Sequence, residues 1–189
     1  MAQEHGDPLP GNSQVIKIHV DELNQLFNSM DPAPFRERDL DPRAEEFIVE
    51  WAKELHHHRA LALVVHLDRE ASTPEAAATL KDAVYQFFED RARATRLKLR
   101  QLFKRGRISL VIGLVCVGAT VIVGDVIANL LEPNRFASVA RESLLIGGWV
   151  AMWRPIEVFL YDWWPIRADL RLYRRLSEMP VRIVHGADA

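Results

Sequence analysis

The sequence predicts an α-helical transmembrane hairpin of two spans, joined to a small N-terminal cytoplasmic α/β domain of order β-α-α-β-α. Three observations lead there. Two apolar stretches in the second half of the chain are long enough to cross a bilayer. Basic residues crowd the outer flanks of that pair and are sparse between its members. The first hundred residues alternate strand-like and helix-like apolar spacing, as a small domain does.

Ile108 to Leu131 holds a single charge, Asp125. Its 24 residues make about 36 Å of helix, enough for a hydrocarbon core of ~30 Å with some tilt. The second span, Ser143 to Trp164, is apolar and aromatic but contains Arg154, Glu157 and Asp162, and Trp163-Trp164 suit an interfacial belt. Before the first span come Arg91, Arg93, Arg96, Lys98, Arg100, Lys104, Arg105 and Arg107; after the second come Arg167, Arg171, Arg174 and Arg175. The connection holds only Arg135 and Arg141, balanced by Glu132 and Glu142. Positive charge stays on the cytoplasmic side, so both termini are expected there, with residues 167–189 as a basic tail. The same logic explains the basic run by topology and anionic headgroups, and nucleic acid is not an expected partner.

Small residues recur every fourth position on both spans: Thr120, Gly124 and Ala128 on the first, Ser143, Gly147 and Ala151 on the second. Such stripes let helix backbones approach closely, and a turn near Arg135–Phe136 would set the two at matching depth.

Residues 1–13 carry no periodicity and read as a disordered leader, and Met1 to Pro10 lack the apolar stretch of a cleavable signal. The domain is expected over residues 14–105. Ile16, Ile18 and Val20 alternate with polar residues as in a half-buried strand. Asp21 is placed to cap a short helix carrying Leu23, Leu26, Phe27 and Met30, which Asp31-Pro32-Ala33-Pro34 ends. Asp41-Pro42 opens a second helix burying Phe47, Ile48, Trp51 and Leu55. Leu61 to Leu67 suits a buried strand, parallel to the first across a helical crossover. Ser72-Thr73-Pro74-Glu75 then starts a third helix carrying Leu80, Val84, Phe87 and Phe88, unbroken into the hairpin region 106–166. Two strands make a meagre sheet, one reason to expect a homo-oligomer.

Charges within an apolar span are costly, so Asp125, Arg154 and Glu157 are the candidate functional residues. Arg154 and Glu157, three apart, can pair. Counted back from Trp164 they lie about 10 to 15 Å inside the span. Pro155 between them frees the carbonyl of Ala151. Asp125 can meet Arg141 from the loop side. His56-His57-His58 is an exposed turn rather than a metal site, because adjacent histidines cannot all face one ion, and His66 reads as a satisfied core residue. The lone Cys116 forms no internal disulfide. No phosphate loop, nucleophile elbow or zinc-protease motif occurs, so neither an enzyme nor a cofactor is expected.

Trp149 to Trp164, with Trp153-Arg154-Pro155, Glu157 and Tyr161-Asp162-Trp163-Trp164-Pro165, resembles a segment of uncharacterised bacterial two-span inner-membrane proteins, as does Pro34-Phe35-Arg36-Glu37-Arg38-Asp39-Leu40-Asp41. The resemblance covers a small part of the chain and implies a bacterial inner-membrane location. The layout is also similar to that of mitochondrial calcium uniporter subunits, but Glu142-Ser143-Leu144-Leu145 stands where their acidic motif would open the second span. Two functions follow as expectations. The first is a membrane-anchored homo-oligomeric scaffold whose cytoplasmic domain binds a protein partner, with Pro34 to Asp41 and the basic tail as contact surfaces. The second is an oligomeric ion- or proton-conducting protein using Glu157, Arg154 and Asp125.

Overall fold

The computed structural model describes residues 3–28, 39–55, 59–69, 73–130 and 135–185. In chain order these form β1 (Gln3–Gly6), β2 (Gln14–Val20), a 3-10 turn (Leu23–Leu26), α1 (Pro42–Glu54), β3 (Leu61–Leu67), α2 (Pro74–Leu130), α3 (Arg135–Glu157), a π-type turn (Val158–Asp162), α4 (Trp163–Ser177) and β4 (Val181–His185). The content is mostly helical, with one small sheet. Two units result: Met1–Ala94 with Asp169–Ala189, and Thr95–Ala168.

The sheet has four strands in the order β1-β4-β3-β2. β2 and β3 run parallel with His19 opposite His66, as the sequence predicts. β4 lies on the other side of β3, also parallel, with Leu63 opposite Val181. β1 pairs antiparallel with β4 at the far edge. Two sequence expectations change here. Part of the segment read as a leader is β1, and the segment read as a basic tail supplies most of α4 and an interior strand. β1 has no apolar pattern and is held by backbone pairing. Gly6 within it has φ +128°, and a Cβ there would come 2.5 Å from the Val181 carbonyl oxygen, so only glycine fits.

Parallel neighbours require a crossover. Between β2 and β3 it is the 3-10 turn and α1. Between β3 and β4 it contains the entire second unit, from α2 through α4. The apolar hairpin is thus an insertion into a βαβ-type connection.

One face of the sheet carries the core. Ile16, Leu63, Val65, Leu67, Val181 and Ile183 pack with Leu80, Val84, Phe88 and Leu176. Asp41 accepts a 2.9 Å hydrogen bond from the Arg43 N–H and caps α1 at Pro42. The face α1 buries is Ile48, Val49 and Ala52, with Leu55 at its margin, while Phe47 and Trp51 are 40% and 45% exposed, contrary to the sequence expectation. After β2, Asp21 caps nothing, and a single turn buries Leu23 and Leu26. Thr73 caps α2 by accepting from the Ala76 N–H at 3.1 Å. The Pro34–Arg38 part of the proposed contact turn, Met30, Ser72 and His56-His57-His58 lie outside the described residues.

Tyr173 on α4 stacks beside Phe88 at 6.4 Å. Its phenol is held above the ordinary 10.0, chiefly by burial and then by Glu45 and Asp169, against the opposing pull of Arg91. A raised folded value favours the protonated form. The stabilisation is therefore complete below pH ~10 and is lost as pH climbs through the folded value. Tyr173→Phe is expected to flatten the alkaline fall in the domain's denaturation midpoint; an unchanged alkaline limb would contradict this.

Candidate functional site: the seam and rims of the hairpin

α2 and α3 meet along a regular seam. A Cβ at Gly106 would meet Val158 and Phe159, and one at Gly113 would lie 3.2 Å from Met152 Sδ and 3.3 Å from the Ala151 carbonyl oxygen. A Cβ at Gly148 would meet Thr120 Oγ1 at 2.6 Å and Val117 Cα at 3.4 Å, and one at Gly124 would meet Arg141 Cγ at 3.2 Å. Positions 106, 113, 117, 120 and 124 repeat with the alternating steps of a coiled-coil seam, here with glycines at the tightest points. Pro155 is buried on the same side of the second helix. The Ala151 carbonyl that it frees faces Gly113, where the absent side chain lets the backbone close over it.

This register differs from the one the small-residue stripes suggest. Thr120 and Gly124 lie on the seam, but Thr120 faces Gly148 and Gly124 faces Arg141. Ser143 is exposed, Gly147 has open space where a Cβ would point, and Ala151 is half-buried. Ala128 belongs to α2, its side chain outside the described ones. The contacts of Gly113 with Ala151 and Met152, and of Gly148 with Val117 and Thr120, set this register between α2, which ends at Leu130, and α3, which begins at Arg135. A 23-residue α3, about 35 Å long, lies beside the apolar part of α2, and the expected second span, Ser143–Trp164, runs through α3 and the π-type turn into α4.

The seam also sets the level of the charged residues along the neighbouring helix. Phe159 packs on Phe103 with ring centroids 6.2 Å apart. Glu157, next to the Val158 that faces Gly106, is therefore level with Arg107, the last cation before the apolar stretch. The Arg154 guanidinium pairs with Glu157 at 3.0 Å and with Asp162 at 3.6 Å. Trp153 Nε1 donates to the other Glu157 oxygen at 3.0 Å. At the opposite end Arg141 bonds Asp125 at 3.1 Å, as the sequence suggests. The structure keeps the two clusters apart, one near each end of the hairpin. Ile108–Gly124 and Ser143–Trp153 carry no charge between them.

Beyond Glu157 the helix widens into the π-type turn, and Trp163 Nε1 donates to the Phe159 carbonyl at 2.9 Å. Arg167 stands 5.5 Å over the Trp163 ring, an aromatic–cation pair suited to an interface. Along α2, no acid occurs between Asp90 and Asp125. The cations Arg96, Lys98, Arg100, Lys104, Arg105 and Arg107 form a basic neck.

The domain adds two features that the sequence pattern did not disclose. An open cleft of about 380 Å³ is lined by Ile18, Val20, Leu26, Asp41, Ala44 and Phe47, among others. Phe47 and Trp51 stand beside each other on α1 with ring centroids 5.9 Å apart. His66 is partly buried and stacks on His19 at 4.5 Å. No group of three or more His, Cys, Asp or Glu side chains is assembled among the described residues.

Fold and rims together define a class: a small α/β domain with an apolar helical hairpin inserted in one crossover. Compared with known proteins, the chain matches no family model, no curated protein and no solved structure.

Proposed function

We propose that the chain is a non-enzymatic, membrane-anchored homo-oligomer of the bacterial inner membrane, whose cytoplasmic α/β domain binds a protein partner or organises an assembly. The observation that carries this reading is the insertion of the hairpin between β3 and β4. Strands from both sides of the hairpin lie in one sheet, so the two ends of the inserted segment return to the same compartment. Two crossings satisfy that, and the basic flanks select the cytoplasm. Two helices are long and apolar enough to cross a membrane. Their apolar surface is open, with Val115 and Ile122 65% and 66% exposed. A soluble core helix would bury such residues, whereas lipid accepts them.

The rims support an anchor. Arg154 with Glu157 and Asp162 sits level with the basic end of α2, where Trp153 and Trp163 complete an interfacial belt. Asp125–Arg141 answers it at the other end, within reach of water by snorkelling. Conduction through Glu157, Arg154 and Asp125 is the competing reading, and the charge-free middle of both helices favours it less. Glu157→Gln in proteoliposomes is expected to leave ion flux at the level of empty vesicles; a cation flux that this substitution abolishes would favour conduction.

Self-association draws support from Ser143 and Gly147. With the seam on Gly148, these small residues face outward and offer a second copy a close approach. The test is the native mass in nanodiscs. A defined oligomer is expected, weakened by Gly147→Leu; a monomer at all concentrations would overturn the oligomeric part.

A further inference from the structure

We infer that the exposed face of α1 docks against the basic neck of a second copy of the chain, an inference that rests on the proposed self-association. The two units are oppositely charged. Met1–Ala94 with Asp169–Ala189 holds 21 acidic and 14 basic residues, and Thr95–Ala168 holds five acidic and ten basic. Net charges of −7 and +5 on one chain favour contact between unlike units of neighbouring copies.

The match continues at residue level. Glu46, Glu50 and Glu54 recur every fourth residue along α1, and all three are exposed. Arg96, Arg100 and Lys104 recur at the same spacing along the neck, equally exposed. Each acidic residue is followed by an apolar one where it matters most: Phe47 after Glu46 and Trp51 after Glu50. In the neck Leu97, 55% exposed, follows Arg96. Phe47, Trp51 and Tyr85 are the large apolar side chains that the first unit leaves exposed among the described residues. Aromatic anchors ringed by charge are what an interface core with a polar rim needs.

None of these six charged side chains has an ion pair or hydrogen bond among the described residues. Their neighbours do: Glu45 holds Arg91 at 2.6 Å, and Arg93 holds Glu89 at 2.6 Å. Glu45 and Glu89 are thus engaged within the chain, while the two stripes keep their charges open to a partner. Copies anchored in one membrane share an orientation. A contact of α1 with the neck that is made reciprocally by two copies closes as a dimer.

The experiment uses the full chain in nanodiscs with two variants, Glu46→Lys/Glu50→Lys/Glu54→Lys and Arg96→Glu/Arg100→Glu/Lys104→Glu. Lys98, Arg105 and Arg107 remain in the second to hold orientation. Alone, each variant faces like charge at both contacts and is expected to dimerise at least about tenfold more weakly. Mixed, acid-reversed and base-reversed chains restore attraction at both contacts, and differently tagged copies are expected to co-purify as a heterodimer. Dimerisation unchanged in either variant would overturn the docking inference while leaving self-association standing. Loss in both with no recovery on mixing, despite wild-type thermal midpoints, would also overturn it. A monomeric wild-type chain would remove both.

Discussion

Leucine at Gly148 is expected to force the two long helices apart, while leucine one residue earlier, at Gly147, leaves them together. A Cβ at Gly148 would lie 2.6 Å from Thr120 Oγ1 and 3.4 Å from the Val117 backbone. Thr120 cannot yield freely, because its hydroxyl is bonded to the Val117 carbonyl at 2.8 Å. A leucine side chain must displace the helix itself, a cost of about 1–3 kcal/mol for overpacking before lost contacts are counted. At Gly147 no atom lies within 4 Å, so the same substitution meets lipid or a second copy. Thermal unfolding in a mild detergent reads the difference. Measured on the dissociated chain, Gly148→Leu lowers the midpoint, and Gly147→Leu leaves it near the wild-type value. Equal effects at the two positions would contradict the seam.

The second large effect concerns the far end of the chain. Ile183 is 0% exposed and Val181 1% exposed, in a strand flanked on both sides by others. Ile183→Ala is expected to cost about 2–5 kcal/mol, a large share of the ~5–15 kcal/mol that holds a typical domain. Truncation before Val181 removes β4 altogether. It strips β1 of its partner, bares an edge of β3, and is expected to unfold the domain while the hairpin stays helical. Circular dichroism and protease resistance of the N-terminal half report this. A truncated chain with a wild-type denaturation midpoint would show that the C-terminal segment is not part of the core.

Much of the architecture was legible because its signals are local. β2 and β3 follow from β-branched residues at alternate or consecutive positions, and Asp41-Pro42 marks the start of α1 by chemistry that acts within one turn. β4 was legible only in part. Val181-Arg182-Ile183-Val184 is a strand-like run after the break at Met179-Pro180, but its neighbours Arg171, Arg174 and Arg175 suggested a solvated tail. β1 was not legible, because Gln3–Gly6 has no apolar alternation and joins the sheet by backbone pairing with β4. Phe47 and Trp51 share an i, i+4 face as regular as that of Ile48 and Ala52, and periodicity cannot say which of two such faces the sheet covers.

The candidate site shows the same divide. Asp125 with Arg141 and Arg154 with Glu157 were readable as pairs, since charge and spacing suffice. Their level along the neighbouring helix was not, because it depends on the register between helices. Which glycine of the second helix meets the first decides that register, and choosing Gly148 over Gly147 shifts it.

The central claim is that the hairpin leaves and rejoins one domain on one side of a membrane. Single cysteines at Asn12, Phe136 and Glu178, in a Cys116→Ser background, can be probed with a membrane-impermeant maleimide in sealed vesicles of known orientation. Asn12 and Glu178 are predicted to label from the same face, the cytoplasmic one, and Phe136, 83% exposed at the start of α3, from the opposite face. Labelling of Asn12 and Glu178 from opposite faces, or of all three from one, would contradict the account.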